Sequence, residues 1–277
     1  MSTTVHILAC VHPDSAGRYE DYLSAQERFA VRVVTDKDEA QGILTDAETP
    51  VDVLVIDNAL GGVFELVRDL RQTYPRMLIV LVDEESDFSM PGRADDVSID
   101  PFTDDDLIKR IHRLIQERQT ETLRADSLPP VRAIAKRLRR ASGASGKAEA
   151  AVTAIGELGY DFVAYYRLTR PDSPLVLSAS AGAPAIKAIA PDEQKDSTLV
   201  GWVARNGQSR IVGPDDEPNY SLIKRGRLGA GICIPVGGAD AFGVLLACRE
   251  EPGTISQENA LLLELIGAQL AAALARE

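Results

Sequence analysis

Four side chains able to do chemistry stand where short apolar runs end. Cys10 closes VHILAC, Asp57 closes VDVLVID, Asp83 follows MLIVLV, and Asp100 closes VSID. A carboxylate at the end of a buried strand is a candidate nucleophile toward a phosphoryl group, or a ligand for a hard cation. Either role needs company. Phosphoryl transfer to a carboxylate brings anions together, so a cation must neutralise the developing charge. Oxygen ligands must hold that cation, and Cys10-Val11 at the first of these positions offer none. Asp57, Asp83 and Asp100 open a second chemistry, because like carboxylates close together invite a proton or a metal. Solvated acids on a loop-rich edge are the plainer reading of the same residues.

Those positions make sense only if the runs are strands of one sheet. VHILACV (5–11), FAVRVV (29–34), VDVLVID (51–57), MLIVLV (77–82) and VSID (97–100) are rich in β-branched residues, and stretches with helical spacing lie between most of them. Five strands interleaved with helices predict a flavodoxin-like, doubly wound parallel sheet covered on both faces. In such a sheet, ligands meet the rim outside the carboxyl ends of the strands. Helices are expected from Asp36 to about Asp46 and from about Val63 to Thr73. The last helix is expected to be capped by Thr103 and to run to roughly Leu123, with Leu107, Ile108, Ile111, Leu114 and Ile115 as its buried stripe. Between Asp83 and Asp96, Met90-Pro91-Gly92 leaves little room for a full helix.

DVLVIDNAL before a helix and ADDVSIDPF before the final helix resemble response-regulator receiver domains over about residues 5–120. The resemblance places Asp57 at the family's phosphoacceptor position. It also implies an acidic pair ending strand one, a Ser or Thr ending strand four, a Lys before Pro-Phe and an aromatic switch on strand five. This chain has Cys10-Val11, Val82, Asp100 and Val97 there. The resemblance therefore implies a pseudo-receiver: the fold without magnesium-dependent phosphotransfer, kept as an interaction surface.

Ser127-Leu128-Pro129-Pro130 should end one helix and start another, since Pro suits a first turn. From Val131 an apolar stripe (Val131, Ile134, Ala135, Leu138, Ala141) opposes Arg132, Lys136, Arg137, Arg139 and Arg140. A basic face of this kind is most simply solvated; nucleic-acid or membrane contact, or contact with the acidic first domain, are the alternatives. ASGASGK (141–147) reads as a short flexible turn.

The second half alternates differently. A helical stretch (148–158) precedes five strand-like runs: FVAYY (162–166), PLVLSASAG (174–182), SRIVG (209–213), AGICIPV (230–236) and AFGVLLACR (241–249). Gly237-Gly238-Ala239-Asp240 suits a hairpin between the last two. STLVGWVARNG (197–207) is a short helix stopped by Gly207, and Thr254 with Gln257 is expected to cap a long closing helix. The order predicts an α+β module and resembles a GAF domain with antiparallel sheet and flanking helices over about residues 131–277.

GAF domains bind small molecules or act as dimerising relays. The cyclic-nucleotide signature of that family is not recognisable here, no Cys stands beside a His as bilin attachment needs, and Cys233 and Cys248 lie inside strands rather than in pocket loops. Enzyme activity and a cofactor are accordingly not expected. A ligand pocket between the sheet and residues 183–228 would draw on Trp202, Asn219, Tyr220, Lys224, Arg225 and Arg227. The closing helix carries Leu261, Leu262, Leu265, Ile266, Leu270 and Leu274, more apolar surface than one sheet face needs, which predicts a homodimer through the GAF flanking helices.

Composition sets the outer limits. The 277 residues carry 42 acids against 30 bases, a net charge of -12, which argues against nucleic-acid partners. Residues 1–127 hold 26 acids and 13 bases, while residues 128–277 hold 16 and 17, so two modules with separate surfaces are expected. No apolar run approaches the roughly 20 residues of a membrane span, and no leader is indicated, which predicts a cytoplasmic protein. The three cysteines, odd in number and far apart, are expected to be buried and unpaired. The division expected is a receiver-like domain at 1–122, a helical connector at 123–144 and a GAF domain at 145–277. Together these predict a non-enzymatic signal-transduction adaptor acting through an unidentified signalling protein. A small-molecule sensor and a conventional phospho-switch on Asp57 are the alternatives.

Overall fold

The computed structural model describes residues 4–46, 49–84, 94–125, 128–170, 173–237 and 242–277. The chain falls into two units, one running through Gln72 and resuming at Met77–Glu121, the other comprising Thr73–Arg76 and Thr122–Glu277.

In the first unit the elements are β1 (Val5–Cys10), α1 (Ala16–Ser24), β2 (Phe29–Val34), α2 (Lys37–Thr45), β3 (Val53–Asp57), α3 (Val63–Thr73), β4 (Leu78–Val82), β5 (Asp96–Ser98) and α4 (Asp106–Ala125). All pairings are parallel and the strand order is β2-β1-β3-β4-β5, the doubly wound, flavodoxin-like arrangement the sequence predicts. Strands β3 and β4 are buried at every residue, which is why they read as unbroken apolar runs. Ile7, Ala9, Val53, Val55 and Val80 pack against Tyr19 and Leu23 of α1 and Leu107, Ile108, Ile111 and Leu114 of α4. The alternate residues Leu8, Leu54, Ile56, Ile79 and Leu81 are buried too, so both faces of the sheet are covered.

Helix α4 begins three residues after Thr103. Asp104 and Asp105 adopt left-handed backbone conformations (φ 51° and 56°), which aspartate tolerates better than most residues, and these postpone the first turn. Asp106 opens the helix instead. Its carboxylate accepts hydrogen bonds from Ser98 Oγ (2.7 Å) and Arg110 Nε (2.7 Å). Burial opposes its charge, but the Arg110 and Ser98 hydrogen bonds outweigh that cost and hold the carboxyl below its usual pKa. The segment 85–93, where a shortened helix is expected, lies outside the described residues.

The second unit contains α5 (Pro129–Arg140), α6 (Gly143–Gly156), β6 (Phe162–Arg167), β7 (Leu175–Gly182), α7 (Pro184–Lys187), β8 (Glu193–Gln194), α8 (Leu199–Asn206), β9 (Arg210–Val212), α9 (Ser221–Arg225), β10 (Ala230–Val236), β11 (Gly243–Arg249) and α10 (Gln257–Leu274). Its six-stranded antiparallel sheet has the order β8-β7-β6-β11-β10-β9. One face, through Val163, Tyr165, Ile232, Ile234, Leu245 and Ala247, packs on Ile134 and Leu138 of α5, Ala151 and Ile155 of α6, and Leu263, Ile266 and Leu270 of α10.

Two local expectations are corrected here. Residues 143–147, expected to be a flexible turn, form the start of α6. Their Gly and Ser content is poor for a helix, but Lys147 is buried and donates to the Ala273 carbonyl (2.9 Å) and to Glu277, so tertiary contacts override propensity. The closing helix is capped by Ser256 rather than Thr254. Ser256 and Asn259 exchange reciprocal hydrogen bonds as a capping box, while the Thr254 hydroxyl turns back to the Glu251 carbonyl.

Candidate functional site

The rim of the parallel sheet is built as its strand ends dictate. Asp57, 9% exposed, is the last residue of β3. Both its carboxylate oxygens are engaged by backbone amides: Oδ1 accepts from Ala59 N (2.9 Å) and Oδ2 from His12 N (3.3 Å). Around it, Cys10, Val11 and Val82 are fully buried, and Val97 is buried on β5. Asp83 is half-buried and Asp100 is exposed two residues beyond β5. Among the described residues, no group of three His, Cys, Asp or Glu side chains is placed to hold a metal ion, so Asp57, Asp83 and Asp100 do not form a cage. The turn after β5 is fixed by aromatic packing, with Phe102 4.7 Å from Tyr19, 5.2 Å from Tyr22, and under the Arg18 guanidinium.

Sequence reasoning missed Lys37. From the first turn of α2 its ammonium donates to the Gly61 carbonyl (2.6 Å), which ties the loop after β3 to the neighbouring helix. Lys37 lies 20 residues before Asp57 and outside the strand-end pattern, so periodicity carries no trace of the contact.

On the antiparallel sheet's other face, the segment expected to enclose a pocket is pinned by hydroxyl and amide contacts. Tyr166 of β6 and Tyr220, both fully buried, join their hydroxyls at 2.7 Å, and the Tyr166 hydroxyl also lies 2.8 Å from the Pro191 carbonyl. Burial raises the pKa of both phenols: that of Tyr166 to about 12, against the lowering effect of its hydrogen bond to Tyr220, and that of Tyr220 further, because there the charge of Tyr166 adds to burial. Asn219 donates from Nδ2 to the Gly213 and Pro214 carbonyls (3.0 Å each) and accepts from Tyr220 N (2.6 Å). Trp202 on α8 is buried beside the Arg210 guanidinium, 5.1 Å from the ring centre. Lys224, Arg225 and Arg227 are exposed, whereas Trp202 and Tyr220 are buried.

Residues 148–275 match the family model of the GAF domain. This part of the chain is a GAF domain. Solved structures similar to the chain include the GAF domain of a phosphoenolpyruvate-protein phosphotransferase from Coxiella burnetii (18% identity, TM-score 0.47, covering 57% of this chain and 94% of that one). Another is the GAF domain of the corresponding Acinetobacter protein (20%, 0.45, 53% and 91%). A third is free methionine-R-sulfoxide reductase from Neisseria meningitidis in complex with its substrate (17%, 0.46, 51% and 84%). No curated protein matches the chain.

The GAF flanking helices are partly used within the chain itself. Of the α10 residues expected to face a second copy, Leu265, Ile266 and Leu270 are buried, Leu265 against Val131 of α5. Leu261, Leu262 and Leu274 are partly buried. Helix α5 thus occupies much of the apolar edge that led to the dimer expectation. Among the described residues, no helix is long and apolar enough to cross a membrane.

Both cysteines of the GAF domain, and Cys10, are free and buried. Burial, reinforced by Asp36, pushes the Cys10 thiol up to about 11, and burial drives Cys233 and Cys248 further in the same direction. Thiolate is the reactive form, so at about pH 8 the native protein is expected to show no thiol titrating with an aromatic disulfide reagent within minutes, and all three after denaturation. A rapidly reacting native cysteine would contradict this packing.

Proposed function

We propose that the chain is a non-enzymatic signal-transduction adaptor. Its N-terminal unit is a degenerate receiver that does not undergo magnesium-dependent aspartyl phosphorylation, coupled to a GAF domain whose output passes through a protein partner. The observation that carries the reading is the setting of Asp57, whose two oxygens already cap backbone amides while its strand-end neighbours Cys10, Val11 and Val82 are buried and carry no oxygen ligand in their side chains. A carboxylate in that position stabilises its own loop. Without a bridging cation, attack on a phosphoryl group meets uncompensated charge.

Incubation with acetyl phosphate and magnesium, read by intact mass, is expected to leave the protein unmodified and indistinguishable from Asp57→Asn. A stoichiometric phosphoryl adduct that Asp57→Asn abolishes would overturn the reading in favour of a working phospho-switch.

A further inference from the structure

Helix α5 carries a feature that the adaptor reading leaves unassigned. Arg132, Lys136 and Arg139 stand at i, i+4 and i+7, on one side of the helix, and all are exposed. Among the described residues none of the three makes a hydrogen bond or ion pair, whereas Arg137 on the adjoining side is matched to Glu157 (2.7 Å). With Val131, Ala135 and Gln269 the three cations line an open groove of about 430 Å³ between α5 and α10. Ala135 is the partly exposed apolar residue among them, and Val131 beside it is buried against Leu265. Leu128 at the head of α5 and Ala268 and Ala272 on α10 are exposed.

We propose that this groove docks an acidic amphipathic helix of a partner protein. The proposal deepens the adaptor reading and rests on it only for the need of a protein partner. The dimensions fit: the three cations span seven residues, about 10 Å along the helix axis, so carboxylates two turns apart on a facing helix can meet the outer pair. Small apolar side chains of that helix would sit on Ala135 of α5 and on the exposed Ala268 and Ala272 of α10.

Other occupants fit less well. A bilayer requires a broad apolar face, and α5 has already buried Ile134 and Leu138 in the GAF core and Val131 against Leu265. Nucleic acid is a continuous line of phosphates and needs a longer row of cations than the three in this groove. A second copy pairing symmetrically through the groove would set like cations against each other, since an isologous contact matches each patch to itself.

The test uses the full chain and a fluorescent peptide of about 20 residues, long enough to hold a helix, with Leu along one stripe and Glu flanking it. Saturable binding is expected by anisotropy. Arg132→Glu, Lys136→Glu and Arg139→Glu combined should weaken it at least about tenfold, as should raising salt from about 0.05 to 0.5 M. Arg167→Glu, Lys187→Glu and Lys195→Glu combined change the net charge equally at exposed sites elsewhere, and should leave affinity within about twofold. Matched thermal melts establish that both triple variants fold.

Equal loss in both triple variants would show unspecific attraction and overturn the proposal. So would equal binding of the Glu→Lys peptide, displacement of the Glu peptide by phosphatidylglycerol vesicles or duplex DNA, or a dimer that the groove substitutions dissociate. None of these outcomes bears on the acetyl phosphate result, so the groove and the pseudo-receiver readings fail separately.

Discussion

Replacing Tyr220 with Ala is expected to destabilise the GAF domain by about 3–5 kcal/mol, the range for removing a buried aromatic side chain. Tyr220 is fully buried beside Tyr166, with ring centres 6.1 Å apart and nearly perpendicular, and its hydroxyl is paired at 2.7 Å. Truncation therefore removes both a large apolar volume and a buried hydrogen-bond partner. Tyr220→Phe separates the two contributions. It keeps the ring, and the Tyr166 hydroxyl retains the Pro191 carbonyl, so the cost should fall to about 0.5–1.5 kcal/mol. Chemical denaturation of the pair measures the difference. A Tyr220→Ala variant within about 1 kcal/mol of the parent would mean that this face of the sheet is not packed as described, and would reopen the space to a ligand.

That tyrosine pair also marks the limit of what the sequence discloses. Tyr220 could be singled out as an aromatic in a long connection, but its partner is 54 residues away, and no periodicity links a strand residue to a loop residue across that distance. The same gap separates the bases from the ring. Lys224, Arg225 and Arg227 are near Tyr220 in the chain, yet the short helix α9 turns Lys224 and Arg225 to solvent while burying Leu222 and Ile223, and Arg227 is exposed just beyond it.

What was legible came from backbone rules that act locally. Strands β3 and β4, covered on both sides, must be continuously apolar, and Asp57 announces the end of one by breaking the run. Gly207 ends α8 because a residue free to take φ 69° is what the close of a helix requires. By contrast, α6 begins in Gly- and Ser-rich sequence because Lys147 finds the far end of α10, 126 residues later. Strand β8, two residues long, is too short to carry any alternation. At the rim of the first sheet, the side chains without oxygen at Cys10, Val11 and Val82 were visible at once. The amides of His12 and Ala59 that engage Asp57 were not, since every residue carries an amide and only folding aims it.

Gly201→Ala should reverse the usual sign of a glycine-to-alanine change in a helix. On propensity alone, alanine favours helix α8 by about 1 kcal/mol. At this position, however, a Cβ would stand 2.3 Å from the Lys195 carbonyl oxygen and 2.5 Å from Asp196 Cα, both backbone atoms. Relief requires the helix and the 195–196 segment to part by about 1 Å, and overpacking of this kind costs about 1–3 kcal/mol, occasionally more. The clash outweighs the propensity, so net destabilisation is expected. Gly42→Ala in α2 is the matched control, because nothing lies within 4 Å of its added methyl group and propensity alone should act. The readout is built in: Trp202, the next residue and the chain's single tryptophan, is 2% exposed, so displacement of α8 should shift its emission to the red. An unshifted spectrum together with increased stability would mean that α8 does not rest on the 195–196 backbone, and that the close approach requiring glycine at 201 does not exist in solution.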